Sequence, residues 1–490
     1  MDCEQNLCGA VISEVLLSLR GPDILLPENI ATDSRKAEKG GVFIAVPGSR
    51  FDGHDFIPEV ENRVSAIVHS RELDRYLPQV SYYRVSDANL AAALLFRRKY
   101  GTPDASVKLL GVTGTNGKTT TAFLMRHLLG EARCGLLSTV TFRTGRRMLP
   151  ATHTTPDSET FFRLLREMAD DGLSFCALEL SSHALAQHRA AGARFRAAVF
   201  TNLTGDHLDY HGDMEHYYQA KKLFFTELLS PDGTAVINTG DPYGARLAGE
   251  LARCRRVVTF GSPDAAWRIE NLRSSRGGLA FELASEERRL PVVSNLIGSY
   301  NASNLAGAIL AVMACGVSCE EITSALRRPV SVPGRMQFFS APSGAGFVID
   351  FAHTDDALAN VIGTLRPLTA GRLFCVFGAG GDRDRTKRPR MGLAASAADH
   401  LIVTSDNPRS EEPEKIIGDI VAGIPAGAVF ETVPDRRAAI RRACALAGPE
   451  DVVLIAGKGH ENYQEIKGVK FPFSDEEELV RCFKEEEKKK

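Results

Sequence analysis

An apolar run that breaks into a glycine-rich loop and resumes as a helical pattern, Lys108-Leu-Leu-Gly-Val-Thr-Gly-Thr-Asn-Gly-Lys-Thr-Thr-Thr-Ala-Phe123, constrains this chain more than any other stretch. A strand leaving through glycines into a helix N-terminus is the layout of a phosphate cradle. Gly114 and Gly117 let backbone N–H groups turn inward on phosphate oxygens, Lys118 reaches the β/γ-phosphates, and the Thr119 hydroxyl suits Mg²⁺. Thr115, Asn116 and Thr120 complete the ATP-binding stretch, and ATP is the expected energy source. The spacing departs from a strict GxxxxGK[ST] pattern, because Val112 stands five residues before Gly117.

A chain of 490 residues is too long for one core, and the usual domain size suggests about three. The first part mixes short strand-like pieces, Gly41–Val46 and Ser65–Val68, with turn clusters such as 47–50, and Gly101-Thr-Pro-Asp104 reads as a linker. From Lys108 onward, apolar runs of strand length alternate with helical stretches, which argues for parallel βαβ units. Phe175–Leu180, Ala197–Asn202 and Thr234–Asn238 are such runs; after a break near Ser331-Val-Pro-Gly334 they restart with Gly346–Asp350, Leu373–Phe377, Leu401–Thr404 and Val452–Ala456. The expected fold is α/β in three domains: a small N-terminal α/β domain over 1–104, a central P-loop-type parallel or mixed sheet over 105–333, and a Rossmann-like α/β domain over 334–490.

Lys and Arg number 59 against 61 Asp and Glu, so no general polycation drive toward nucleic acid or anionic lipid exists, and anionic ligands must be held locally. The acidic start, residues 1–6, lacks signal-peptide architecture, and no apolar run has the length to cross a bilayer. A cytoplasmic protein without membrane insertion is expected. Its 10 cysteines are scattered without a CxxC pair, which predicts neither disulfides nor a zinc site, and the charged tail 484–490 reads as a solvated end.

Ligands gather at the carboxyl ends of strands in open parallel sheets. Here those exits carry Gly114–Thr119, Glu179–His183, Asn202–His207, Asp350–His353, Gly378–Arg383, Asp406–Arg409 and Gly457–Glu461, which favours an enzyme over a binding scaffold. Glu179 interrupts an apolar strand, where a carboxylate needs a partner such as Mg²⁺ unless the strand is an edge that reaches solvent. His207 and His211 stand four apart, yet Leu208 replaces the glutamate of HExxH, so zinc-protease chemistry is unsupported and turn or capping roles are the plainer account. Lys221 and Lys222 precede an apolar run, and sequence physics leaves both open as the functional lysine. Arg383 and Arg409 offer guanidinium forks for a carboxylate, while Asp406, Asn407 and Glu461 suit ammonium groups; taken alone, Asp-Asn-Pro-Arg is also a plain turn.

In order along the chain, Asp33-Ser-Arg35, Gly114–Thr120, Thr154-Thr-Pro156, Glu179–His183, Thr201-Asn-Leu203 with Asp206–His211, Asn301 with Asn304, Pro333-Gly-Arg335, Asp350–His353, Gly380–Arg383, Asp406–Arg409 and Gly457–Glu461 resemble the Mur ligase family. The resemblance implies an ATP-dependent ligase that adds meso-2,6-diaminopimelate to the D-Glu γ-carboxylate of UDP-N-acetylmuramoyl-L-Ala-D-Glu through an acyl phosphate. It implies that Ser34, Thr154, Thr155, Ser181, Gln187 and Arg189 contact the UDP substrate, and that Asn304, Arg335 and Asp350 meet the nucleotide beside Gly114–Thr120. Lys118, Lys221, His207 and Glu179 become the catalytic set, with Thr119, Glu179, His207 and a carbamylated Lys221 as Mg²⁺ ligands. Arg383, Asp406, Asn407, Arg409, Gly457 and Glu461 become the amino-acid site, and a monomer is expected. Asp355 and Gly205 depart from the family's pattern locally, where a proline and a larger polar residue are common.

Two other readings compete. Folylpolyglutamate synthetase has a similar cradle and also joins an amino acid to a carboxylate, but lacks the Asp-Asn-Pro-Arg and Thr-Thr-Pro segments. A nucleotide-binding regulatory module has no need of Arg383, Arg409 and Glu461.

Overall fold

The strand that feeds the cradle, Lys108–Thr113, is buried from Leu109 onward and lies inside an eight-stranded sheet. The computed structural model describes residues 7–48 and 51–488; the acidic start 1–6, the second half of the turn 47–50 and the last two lysines of the tail lie outside the described residues. The strand order is Arg256–Phe260, Leu229–Asn238, Phe195–Phe200, Lys108–Thr113, Phe175–Glu179, Cys134–Leu137, Thr141–Arg143, Met148–Pro150. The first six run parallel and the last two return antiparallel, so the expected mixed sheet is present. Near-continuous apolar runs such as Phe195–Phe200 suit strands covered on both faces. Gly111 is small for a reason: a Cβ there would lie 2.5 Å from the Phe224 ring and 3.0 Å from that of Phe195.

Upstream, five short strands pair in the order Leu16–Arg20, Ser81–Val85, Ala66–His69, Val42–Ile44, Ile30–Ala31, only the first antiparallel. The helix Ala88–Lys99, capped by Asp87, packs on the helix Ser158–Asp170, capped by Asp157, which buries Phe161, Phe162, Leu164, Leu165 and Met168. Each such side chain contributes about 1.5–3 kcal/mol. One apolar core therefore runs from this first sheet into the eight-stranded one. The segment read as a linker is ordered, with Asp104 gripped by Arg97 through bonds of 2.9 and 3.0 Å.

The chain divides into two compact units, one of Met1–Ile269, Leu283–Leu290 and Ser303–Ala325, the other of Glu270–Glu282, Pro291–Ala302 and Leu326–Lys490. The second holds a six-stranded sheet ordered Gln337–Ser340, Gly346–Asp350, Val452–Ala456, Leu373–Phe377, His400–Val403, Phe430–Thr432. All its pairings are parallel except that of Gln337–Ser340, and successive residues alternate between two apolar clusters: Leu373, Cys375 and Phe377 on one face, Phe374 and Val376 on the other. A fully buried ion pair, Arg436 with Asp475, joins the helices Arg436–Leu446 and Asp475–Glu487.

Two features have no counterpart in the sequence reading. One is a three-stranded sheet of Arg268–Ser275, Gly278–Ala284 and Arg289–Ser294; the other is a hairpin of Tyr463–Ile466 and Val469–Pro472. Apart from Gly278–Ala284, their strands bury at most alternate residues, so they lack the solid apolar runs of the parallel sheets.

Candidate active site

The cradle is a loop tied at both ends. Gly114 has φ 145°, and a Cβ on it would collide with Thr201 Oγ1; Gly117 has φ 86°, and a Cβ there would collide with Asn304 Oδ1. The neighbouring strand exit supplies the ties. Thr115 N donates to Asn202 O and Asn116 N to Asn202 Oδ1, both at 2.9 Å, and Thr201 Oγ1 donates to Asn116 O at 2.6 Å. Lys118 and the buried Thr119 and Thr120 then open the helix Lys118–Leu129, whose first N–H groups face the loop. Lys118 Nζ folds back onto the carbonyls of Gly114 and Thr115 at 3.0 and 2.8 Å. Asn304 stands against the loop, so the residues expected around a nucleotide triphosphate within this unit come together.

Glu179 ends a strand that has neighbours on both sides, and it is wholly buried, so the edge-strand alternative fails. Its carboxylate accepts from Thr119 Oγ1 at 3.0 Å, Thr139 N at 2.8 Å and Thr139 Oγ1 at 3.2 Å. A buried carboxylate beside hydroxyls is the oxygen-rich donor set that a hard divalent cation takes.

Of the two adjacent lysines, Lys221 points inward and is 1 % exposed, with Nζ donating to Gly114 O at 2.9 Å. Burial, and then the Lys118 charge, hold its pKa well below the usual lysine range. Lys222 pairs with Glu250 at 2.8 Å instead. The helix Met214–Leu223 that carries both continues into a wide π turn, Phe224–Leu228.

His207 occupies a left-handed backbone position, φ 55°, beside Asp206 at 3.4 Å. Its ring lies 4.9 Å from that of His183, which in turn contacts Tyr210 and His211. Burial lowers the pKa of His207 and His183, and it brings His211 down to about 4, so this group favours neutral imidazoles. Among the described residues no three His, Cys, Asp or Glu side chains form a metal-binding group.

The residues expected at the UDP substrate are mostly connected. Thr154 Oγ1 lies 3.2 Å from Thr139 Oγ1, and Thr155 Oγ1 donates to Glu179 O at 2.8 Å while accepting from Ser181 N at 3.1 Å. Arg189 binds Thr155 O at 2.8 Å and Gln187 Oε1 at 3.1 and 2.8 Å. Ser181 also caps the short helix Ser182–Ala186. Ser34 opens the 3₁₀ turn Ser34–Lys36 that follows the strand Ile30–Ala31, and its carbonyl accepts from Arg63 at 3.1 Å.

In the second unit, Asp350 ends its strand with both oxygens engaged, by Met336 N at 2.7 Å and Ala352 N at 2.9 Å, and burial raises its pKa. Arg335 lies 5.0 Å over the Phe351 ring. Three further strand exits of this sheet converge, those after Leu373–Phe377, His400–Val403 and Val452–Ala456. Arg409, at φ 52°, donates Nη1 to Gly381 O at 2.6 Å, and its Nε is 3.5 Å from Glu465 Oε2. A Cβ on Gly380 would come 2.9 Å from Arg409 Nη1 and 3.7 Å from Arg383 Cγ, which puts both guanidinium-bearing side chains beside one bare backbone position. Asn407 Nδ2 donates to Glu461 Oε2 at 2.8 Å, and a Cβ on Gly457 would meet Asp406 Oδ2 at 2.6 Å.

Three contributors escaped the sequence reading. Thr139 sits just past the strand Cys134–Leu137, and the rule that ligands gather at strand exits applies to it as to the others. Lys458, within Gly457–Glu461, is fully buried and bonded to Asn407 and Glu461. Glu465 lies on the unpredicted hairpin.

Three family models match: the Mur ligase middle domain over residues 112–312, the Mur ligase glutamate ligase domain over 334–459, and the Mur ligase family catalytic domain over 28–95. A protein of Geobacter metallireducens named UDP-N-acetylmuramoyl-L-alanyl-D-glutamate--2,6-diaminopimelate ligase is 42% identical over 483 residues, covering 94% of each chain. One of the same name from Gloeobacter violaceus is 44% identical over 463 residues, covering 93% of this chain and 94% of the relative. A solved structure titled with that enzyme name is 34% identical with a TM-score of 0.70, covering 94% of this chain and 95% of its own.

Proposed function

Because the chain belongs to the Mur ligase family, we propose that it is an ADP-forming ligase that joins meso-2,6-diaminopimelate to the D-Glu γ-carboxylate of UDP-N-acetylmuramoyl-L-Ala-D-Glu, a step of peptidoglycan precursor synthesis. The observation that carries the choice of amino acid is the Asp406–Arg409 exit. There a guanidinium is held by Gly381 O at Nη1 and by Glu465 at Nε, and its outer N–H groups are the fork for the second carboxylate that diaminopimelate has and lysine lacks.

A free carboxylic acid is a poor acyl donor, so the γ-carboxylate first takes the terminal phosphoryl group of ATP, leaving ADP; the amine then displaces phosphate from the acyl phosphate. Residues of the first unit handle the nucleotide. Gly114–Thr120 wraps the phosphates with backbone N–H groups, Lys118 exchanges its loop carbonyls for the β/γ-phosphate oxygens, and Asn304 meets the nucleotide. Arg335 and Asp350 are assigned to the same nucleotide.

Thr119, Glu179, His207 and a carbamate on Lys221 are the residues that would hold Mg²⁺, which when bound would offset charge on the transferred phosphoryl group. The buried Glu179 carboxylate between Thr119 and Thr139, and the neutral amine that burial favours at Lys221, fit that assignment. Thr154, Thr155, Ser181, Gln187 and Arg189 bind the muramoyl dipeptide, and Ser34 the uridine end. Arg383, Asp406, Asn407, Arg409, Gly457 and Glu461 bind the amino acid. Three domains follow, 1–104 for the UDP end, 105–333 for ATP and 334–490 for the amino acid.

Among the described residues no helix is long and apolar enough to cross a membrane. A cytoplasmic monomer acting on free UDP-linked precursor completes the reading. The test is ligation of labelled diaminopimelate against labelled lysine, with phosphate release followed. Release that needs both the UDP-muramoyl dipeptide and diaminopimelate supports the proposal; release with lysine at equal efficiency defeats the amino-acid assignment.

A further inference from the structure

Lys458 is the most enclosed charged group of the second unit's strand exits, at 0 % exposure, and its ammonium group is bonded to two residues of the proposed amino-acid site. Nζ donates to Asn407 Oδ1 at 3.0 Å and to Glu461 Oε2 at 3.0 Å, and it lies 5.6 Å from the Tyr463 ring centre. A second donor, the Glu465 backbone N–H, reaches Asn407 Oδ1 at 2.9 Å. With two donors on one side of the amide, the oxygen must face them, and Nδ2 is turned toward Glu461 Oε2 at 2.8 Å. Asn407 therefore offers a ligand N–H, not an acceptor, and the expectation that it suits an ammonium group does not hold. Glu461 is held through the same oxygen, Oε2, by Lys458 and Asn407 together.

We infer that Lys458 is a positioning residue for the incoming amino acid: it touches no reacting atom, fixes which face the Asn407 amide presents, and aims the Glu461 carboxylate. This rests on the ligase reading above and deepens it. Without the ammonium group, Asn407 keeps only the Glu465 N–H on its oxygen and is free to rotate, and Glu461 loses the nearest cation that holds Oε2. A substrate bearing a carboxylate and an ammonium group at each end then meets a scrambled set of donors and acceptors. The nucleotide loop Gly114–Thr120 belongs to the other unit and shares none of these bonds.

The test uses the full-length enzyme with Lys458→Met, Lys458→Gln, Glu461→Gln and the Lys458→Met/Glu461→Gln double variant. KM for diaminopimelate, ATP and UDP-muramoyl dipeptide is measured for each, with a thermal melt. Lys458→Met is expected to raise KM for diaminopimelate about ten-fold, the scale of one hydrogen bond to a charged group, with the other two KM values little changed. Lys458→Gln, which keeps a donor for Asn407, should recover part of that loss. On the Glu461→Gln background the Met substitution should cost clearly less than alone, since the two act through one contact. Equal rises in all three KM values, additive losses in the double variant, or loss of a cooperative melt in both Lys458 variants would assign Lys458 a merely structural role and overturn the inference. A wild-type enzyme that ligates no diaminopimelate would bring down the ligase reading and this inference with it; a wild-type enzyme that does, beside unchanged KM in Lys458→Met, would bring down this inference alone.

Discussion

Lys118 and Lys221 meet on a single acceptor: both Nζ atoms donate to the carbonyl of Gly114, at 3.0 and 2.9 Å. Two full positive charges so close repel, and Lys221 is the buried partner, so it is the one whose proton is lost most readily. An unprotonated amine is what reaction with carbon dioxide to form a carbamate requires. The helix Met214–Leu223 thus sets against the Gly114–Thr120 loop a lysine whose neutral form burial favours.

Lys221→Ala should lower turnover by at least about ten-fold, the usual cost of losing a group that supports a metal site. Added short carboxylates should restore part of it, because they replace the carbamate's oxygens. Rescue of Lys222→Ala instead would move the role to the lysine that is paired with Glu250.

Arg409→Ala removes a guanidinium already oriented by Gly381 O and Glu465. Steady-state kinetics should show KM for diaminopimelate raised roughly ten- to hundred-fold, from a charge-assisted bond worth about 1.5–3 kcal/mol, with KM for ATP nearly unchanged. Equal effects on both substrates would count against the amino-acid assignment.

Asp475→Asn leaves the Arg436 guanidinium buried beside Ala456 O without its counter-charge. Breaking one side of such a pair costs about 3–5 kcal/mol, so urea denaturation of the variant should show a much lower midpoint. A paired Arg436→Met/Asp475→Leu replacement should recover much of the loss, since no unpaired charge then remains.

Glu411 supplies a pH-dependent increment. Its bonds to Arg388, and then the Asp382 N–H, lower its pKa to about 2, below the unfolded value of about 4.3. The unfolded chain binds the proton first, so the contribution is present above about pH 4.3 and is lost as pH falls toward 2. Denaturation curves across that window should fall less steeply with acid for Glu411→Gln than for the wild-type chain; identical slopes would remove Glu411 from the acid response.

Much of the site was legible because its chemistry sits at strand exits, and strand exits announce themselves as apolar runs that end in glycine and polar residues. Gly114–Thr120, Glu179, Asp406–Arg409 and Gly457–Glu461 were all found that way, and each lies at the end of a parallel strand in the structure. The three-stranded sheet and the Tyr463–Pro472 hairpin were not legible, since strands with a solvated face carry a weaker apolar signal. Missing the hairpin meant missing Glu465, whose partner Arg409 is 56 positions earlier in the chain.

By itself the sequence determined which local pieces form and in what order: alternating strands and helices, a glycine loop opening on Lys118-Thr119, and an arginine after Asp406-Asn-Pro. Those follow from properties of neighbouring residues, namely side-chain polarity, backbone freedom and hydrophobic period. Only the tertiary structure decided that Lys221 rather than Lys222 enters the core, that Thr139 backs Glu179, and that Lys458 turns the Asn407 amide. Adjacent helical residues differ by about 100° of rotation, and which of them is buried depends on what packs against the helix from far along the chain. Contacts of that kind depend on distances between segments, which no local pattern encodes.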